Sequence, residues 1–121
     1  MDLDFQVGDV VKLRSGGPSM TVVGAEGEFL HCCWFDHEEK LQPVRMKPCS
    51  LNKSMSGSGN VTREIQVGEV VYLKSGGPKL TVERIESGAV DCIWFNEKTF
   101  YNTGEFMSKM LTYQSTPKSD F

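Results

Sequence analysis

Two short segments of the chain carry residue types that can do chemistry. Carboxylates form the run Asp36–Glu39, broken by one histidine, and paired acids suit general acid–base catalysis. Imidazole and thiol groups, the common ligands of zinc, lie around the same run, at His31, Cys32, Cys33, His37 and Cys49. No serine or cysteine nucleophile has a placed histidine base. The sequence therefore raises two hypotheses here, an acid–base site and a zinc site.

An internal repeat weakens both hypotheses. Residues 5–35 recur as residues 65–95 at a constant offset of sixty, with no insertion or deletion. The second copy lacks both histidines, and its counterpart of the acidic run is Asn-Glu-Lys-Thr. Adjacent Cys32 and Cys33 also point to opposite faces of a strand, which hinders ligation of one ion. We therefore expect no enzyme, no metal site, no cofactor and a solvated acidic loop, with Cys32 and Cys92 as buried small hydrophobes.

The elements that would position these residues have the features of β-strands. β-Branched residues follow Val-Gly-Asp or Val-Gly-Glu in each copy, and short predicted strands recur every 8–12 residues with glycine turns between them. We find no convincing amphipathic helix. The predicted strands are 10–14, 20–23 and 29–35, with counterparts at 70–74, 80–83 and 89–95. This pattern favours an all-β fold with two tandem SH3-like small β-barrels joined by a short flexible linker.

The repeat also sets the domain boundaries. We predict a first unit over residues 4–53, a Gly/Ser linker over 54–63, a second unit over 64–114 and a frayed tail over 115–121. A unit of about fifty residues buries only about 60% of its unfolded surface and is marginally stable alone. We therefore expect the two units to pack together as an intramolecular pseudo-dimer.

A glycine turn is repeated letter for letter. Proline has no N–H, so the turn should be open or long, and Gly-Gly supplies positive φ. A basic residue precedes each copy, Arg14 or Lys74, and backbone N–H groups beside a cation can bind an anion. The alternative is a hairpin turn kept for its geometry. The turn residues are Ser15, Gly16, Gly17 and Pro18, with Ser75, Gly76, Gly77 and Pro78 in the second copy.

Alternation along the third strand separates its two faces. One face is apolar in both copies and is assigned to the core, namely Leu30, Cys32 and Trp34, with Val90, Cys92 and Trp94. His31 and Asp91 mark the other face as the one that contacts water. Phe35 and Phe95 lie on that wetter face and are apolar in both copies. We expect them to form an inter-unit contact or a partner-binding patch, unless the end segment of the barrel covers them.

Charge and composition exclude several classes of protein. The net charge is −3, and neither half is basic, which opposes binding to a phosphate backbone. The first residues lack the apolar run of a signal peptide, and no stretch approaches the ~20 apolar residues of a membrane span. The four cysteines form no C-x-x-C pair. We expect a cytoplasmic protein that is not associated with membranes.

The string VGDVVKLRSGGPSMTV followed by CCWF resembles the YodC-like family of small bacterial and phage proteins. The second copy, VGEVVYLKSGGPKLTV followed by CIWF, is equally similar. The resemblance covers about thirty residues of each unit. It implies a short β-rich unit, present here twice, and supplies no catalytic residues.

These observations favour a non-enzymatic binding or adaptor module that recognises a protein partner. By analogy with a phage-derived member, a host-interaction or anti-defence role would fit. The alternative is a protein that binds or sequesters a small anionic ligand such as a nucleotide, and single-stranded nucleic-acid binding comes third. The candidate binding residues are Phe35 and Phe95, with Arg14, Ser15, Gly16 and Gly17 in the first turn and Lys74, Ser75, Gly76 and Gly77 in the second.

Overall fold

A computed structural model describes residues 5–55 and 64–113. The all-β prediction is confirmed, because the described residues form two antiparallel five-stranded sheets and only two three-residue 3-10 helices. Neither sheet closes into a barrel within the described residues, so the SH3-like barrel stays a prediction. No helix in these two ranges is long and apolar enough to cross a membrane.

The first sheet contains the strands of the first unit in the order β4-β3-β2-β1-β5. The last strand therefore returns to the side of the first, and β1 pairs with both β2 and β5. A 3-10 helix at Pro48–Ser50 precedes β5. The strands are β1 (Val10–Leu13), β2 (Met20–Glu26), β3 (Phe29–Phe35), β4 (Leu41–Met46) and β5 (Leu51–Met55).

The second sheet repeats this order as β9-β8-β7-β6-β10. Its 3-10 helix is Ser108–Met110. Its strands are β6 (Val70–Leu73), β7 (Leu80–Glu86), β8 (Ala89–Phe95), β9 (Tyr101–Met107) and β10 (Leu111–Thr112). Strands β2 and β7 are longer than predicted. Strand β5 continues two residues into the segment predicted as linker. Residues 56–63 of that segment and the predicted tail lie outside the described residues.

Each unit buries the strand face that alternation predicts. Val11, Val22, Leu30, Cys32 and Leu51 fill the first core, and their counterparts Val71, Val82, Val90, Cys92 and Leu111 lie in the second. Trp94 is buried, whereas Trp34 is half-buried. Cys32 and Cys92 are free and buried, and burial raises the pKa of their thiols to about 11 and about 12. Both thiols are therefore protonated at neutral pH and act as small apolar groups.

The acidic run is a hairpin loop between β3 and β4. The Asp36 carboxylate accepts hydrogen bonds from the backbone N–H groups of Lys40 and Glu38, which lowers its pKa. Asn96 makes the same two bonds with its amide oxygen, to Lys98 and Phe100. The recurrence of Asp or Asn here is therefore explained by turn geometry, in which a short side-chain oxygen mimics part of the backbone turn.

Candidate functional site

The two units contact each other through one face of the first unit. We call it the first inserting face, and its members pack against the core of the second unit. They come from the turn before β1 and from β2, β3 and β4, and they are Val7, Val23, Cys33, Phe35 and Leu41. Cys33 is buried there, and burial together with the neighbouring Cys32 raises the pKa of its thiol to about 12.

Phe35 makes the main aromatic contact. Its ring meets the indole of Trp94 edge to face, with ring centroids 5.2 Å apart and planes at 86°. The ring of Phe106 lies 6.5 Å away. Gly77 lies directly under the Phe35 ring, where a Cβ atom would overlap it. Gly77 also has a φ of +134°, so this position needs glycine both for its backbone and for the space it leaves.

Hydrogen bonds join the units around this contact. The hydroxyl of Thr21 donates to Ser75 Oγ at 2.7 Å and accepts the backbone N–H of Ser75 at 3.1 Å. The indole N–H of Trp94 donates to the backbone oxygen of Glu39 at 3.0 Å. Thr21 is fully buried, so its two bonds to Ser75 satisfy a hydroxyl group that water does not reach.

A buried cation lies at the edge of the same contact. Lys74 has only 3% of its surface exposed. Burial lowers the pKa of its ammonium group, and the Asp9 carboxylate of the first unit opposes that shift. Asp9 is itself buried and also pairs with Lys53 at 3.4 Å. The cation of the second glycine turn therefore faces the first unit.

The equivalent face of the second unit is open. We call it the second inserting face, and it consists of Val67, Glu83, Ile93, Phe95 and Tyr101. Val67 is 64% exposed, Phe95 65% and Tyr101 56%. Phe95 and Tyr101 contact each other edge to face, with ring centroids 5.8 Å apart. All the large apolar side chains that are exposed in the described ranges belong to the second unit.

The two glycine turns also differ, but here the second copy is engaged and the first is exposed. Gly16, Gly17, Gly76 and Gly77 all have positive φ, as predicted, and each loop is six residues long between its strands. The second turn lies in the inter-unit contact through Ser75 and Gly77. The first turn is exposed, and the guanidinium of Arg14 donates to the backbone oxygen of Cys49 at 3.0 Å.

The structure thus brings some of the predicted site residues together and separates others. Phe35, Lys74, Ser75 and Gly77 meet in the contact between units, with Gly76 in the same turn. Arg14, Ser15, Gly16 and Gly17 form a separate exposed loop, and Phe95 lies on the open face of the second unit.

Sequence reasoning missed Thr21 and the indole of Trp94 as contact residues. Thr21 and Ser75 recur in both units, so their recurrence alone does not reveal which copy is engaged. The substitution of Val23 by Glu83 was the available signal, because it marks which inserting face is covered.

The residues considered for metal binding are dispersed. His31 Nε2 lies 2.9 Å from Glu26 Oε1, across the hairpin between β2 and β3. Cys33 faces the second unit, whereas Cys49 is exposed on the 3-10 helix. Within residues 5–55 and 64–113, no group of three or more His, Cys, Asp or Glu residues is placed to hold a metal ion.

Fold and site together define an all-β protein of two repeated units, one of which inserts an apolar face into the other. The family model described as "Uncharacterized small protein (DUF2158)" matches residues 6–45 and again residues 66–111. The two matches cover more than half of the chain, so the chain belongs to this family, as a tandem duplication of its unit. No curated protein and no solved structure shows a significant match to the chain.

Proposed function

We propose that this protein is a non-enzymatic binding module whose partner is a protein, and that the second inserting face is its binding surface. One observation carries the proposal. Phe95 and Val67 are exposed, whereas Phe35 and Val7, at the same positions of the first unit, pack against a protein surface. The first unit therefore shows what kind of surface this face accommodates.

The chemistry of the face supports a protein partner. Aromatic side chains are enriched at the centres of protein interfaces, where they fill pockets on the partner. Phe95 and Tyr101 lie side by side on β8 and β9, and Phe100 beside them is 63% exposed. Contiguous exposed apolar side chains commonly mark an interaction site.

The SH3-like barrel of each unit and the packing of the two units as a pseudo-dimer are part of this proposal. The return of β5 to the side of β1, after a 3-10 helix, supports an SH3-like barrel for each unit, and the contacts around Phe35 support a pseudo-dimer. Small β-domains of this kind recognise peptides through aromatic grooves. The cytoplasmic location stays a prediction.

For the anion-binding alternative, we propose the first glycine turn as the site. Lys74 is buried and Ser75 bonds to Thr21, whereas Arg14 and residues 15–17 are exposed. This hypothesis and that of nucleic-acid binding stay predictions. A thermal-shift screen with nucleotides tests the former, and a salt-dependent gel shift tests the latter.

Affinity capture from a cell extract tests the protein-binding proposal. The baits are the wild-type chain, a Phe95→Ser/Tyr101→Ser double variant and the control Ile85→Ser. Ile85 is also an exposed apolar residue of the second unit, but it lies outside the second inserting face. We expect mass spectrometry to identify a protein that the wild type and the control retain and the double variant loses. Capture of the same proteins by all three baits would refute the proposal.

A further inference from the structure

We propose that the occupant of the second inserting face is the first unit of another copy of this chain, so that copies associate head to tail. This inference rests on the proposed function and names its partner. In the internal contact, the first inserting face already docks on a surface of a homologous unit.

The first unit does carry the receiving residues, and they are accessible. Ser15, Gly17 and Trp34 correspond to Ser75, Gly77 and Trp94, the residues of the second unit that contact Thr21, Phe35 and Glu39. Ser15 and Gly17 are exposed and Trp34 is half-buried. We call these three residues the open receiving face.

Each inter-unit hydrogen bond has a counterpart in the contact between copies. Thr81 has the position of Thr21, is exposed, and would bond to Ser15 of the next copy. Within residues 5–55 and 64–113, the side chain of Trp34 makes no hydrogen bond, although its backbone belongs to the β3–β4 ladder. Its indole N–H would donate to the backbone oxygen of Thr99, which has the position of Glu39.

The backbone oxygen of Thr99 lies in the same loop geometry as the backbone oxygen of Glu39. Both residues have a φ of +63°, and each donates its own N–H to the residue three positions earlier, at 2.8 Å. Because the acceptor belongs to the backbone, the change from Glu39 to Thr99 does not remove it.

The aromatic and charged contacts can recur as well. Phe95 would pack over Gly17 and against Trp34, as Phe35 packs over Gly77 and against Trp94. Gly17 has a φ of +122°, and a Cβ atom there would meet no atom within 4 Å, so this site is open. The pair Asp9 and Lys74 has Glu69 and Arg14 as counterparts of the same charge.

Two substitutions weaken the contact between copies relative to the internal one. Glu83 brings a carboxylate to the position of Val23, and Met46 replaces the ring of Phe106. The internal contact also benefits from a linker, which holds the partner at an effective concentration of about millimolar order. Association between copies should therefore require high protein concentration, and removal of the Glu83 charge should strengthen it.

The contact is heterologous, because the inserting and receiving faces are different surfaces. Each chain uses one of each internally and keeps one of each free. A head-to-tail contact of this kind produces a closed ring or an open filament. Either assembly fits the proposal, and both need an inserting face and a receiving face in every copy.

Sedimentation velocity from about 10 µM to about 1 mM protein, a range that brackets the effective concentration given by a short linker, tests the proposal. The wild-type chain should rise in weight-average mass with concentration.

Phe95→Ser disables the inserting face, and Ser15→Lys blocks the receiving face with a long charged side chain. We expect each variant alone to remain monomeric. Their 1:1 mixture should form dimers and nothing larger, because one functional face of each kind remains. Glu83→Val should associate at lower concentration than the wild type.

Two results would overturn the proposal. One is a wild-type chain that stays monomeric over the whole range. The other is a Ser15→Lys variant that associates as well as the wild type, which would indicate a symmetric contact between second inserting faces. If the chain is monomeric but Phe95→Ser/Tyr101→Ser still loses a captured protein, the self-association fails and the protein-binding proposal stands.

Discussion

Thr21 and Thr81 are the same residue at the same position of the two units, on strands of the same length and pairing. Thr21 is fully buried and bonded to the other unit, whereas Thr81 is exposed. Phe35 and Phe95 differ in the same sense. Local sequence and strand alternation are nearly identical at these positions, so contact with the other unit decides their burial. Paired substitutions at equivalent positions can therefore measure that contact directly.

The largest difference is expected between the two tryptophans. Trp94→Ala removes a buried ring that contacts Phe35 and bonds to the Glu39 oxygen, so it should lower the free energy of unfolding by about 3–5 kcal/mol. Trp34→Ala removes a half-buried ring and should cost clearly less. Urea unfolding of both variants measures the difference, and equal losses would contradict the asymmetry of the two units.

The phenylalanine pair should give the next effect. Phe35→Ser opens the contact between units, and we expect a loss of about 2–4 kcal/mol, near the range for truncating a packed aromatic side chain. Phe95→Ser changes an exposed residue and should stay within about 0.5 kcal/mol of the wild type. Both values are measured by urea unfolding at concentrations where the chain is monomeric. A loss at Phe95 as large as that at Phe35 would show that the second face is covered.

The glycine pair separates steric contact from backbone strain. Gly17→Ala and Gly77→Ala both place a side chain at positive φ, so the strain is common to the two variants. Only the Gly77 variant pushes a methyl group into the Phe35 ring, which should add about 1–3 kcal/mol of destabilisation. In thermal unfolding the Gly77 variant should therefore melt at the lower temperature. Coincident melting curves would mean that Phe35 does not lie over Gly77.

The threonine pair tests the polar part of the contact. Thr21→Val leaves the half-buried Ser75 N–H without its acceptor, and the loss of such a hydrogen bond costs about 0.5–1.5 kcal/mol. Thr81→Val alters an exposed side chain and should change stability little. The comparison again uses urea unfolding, and a Thr21→Val variant as stable as Thr81→Val would contradict the hydrogen bond to Ser75.

The smallest effect concerns the two hairpin loops at low pH. Hydrogen bonds to the Asp36 carboxylate lower its pKa below the ordinary value of 3.8. This stabilisation is therefore present above about pH 3.8 and is lost as the pH falls through the lowered pKa of the folded state. Asn96 does not titrate, so Asp36→Asn should make unfolding less sensitive to pH below 4. Unchanged sensitivity in the variant would disprove this role of Asp36.

The sequence was informative where local chemistry decides the structure. Alternation along β3 and β8 predicted the buried Leu30, Cys32 and Cys92, and the Gly-Gly turns predicted positive φ. These features depend on the geometry of one strand or one loop. The closing strands β4 and β9 were not delimited, because the two copies diverge most after the hairpin.

Strand alternation could not predict which of the two phenylalanines is covered. Both copies have phenylalanine at this position and nearly the same neighbours, and an interface depends on the relative placement of two units rather than on one strand. Val23 and Glu83 were the clearest asymmetric pair, apolar on the covered face and charged on the open one. Trp94 was correctly assigned to the core, but its hydrogen-bond partner lies 55 positions away in the other unit.

Amide hydrogen exchange at two serines tests the central claim most directly. The Ser75 N–H bonds to the buried Thr21, whereas Ser15 lies in the exposed copy of the same turn. If one inserting face is covered and the other open, the Ser75 amide should exchange much more slowly than the Ser15 amide in dilute, monomeric protein. Thr21→Val should remove most of that protection. Equal exchange of the two serine amides in the wild-type chain would contradict the account.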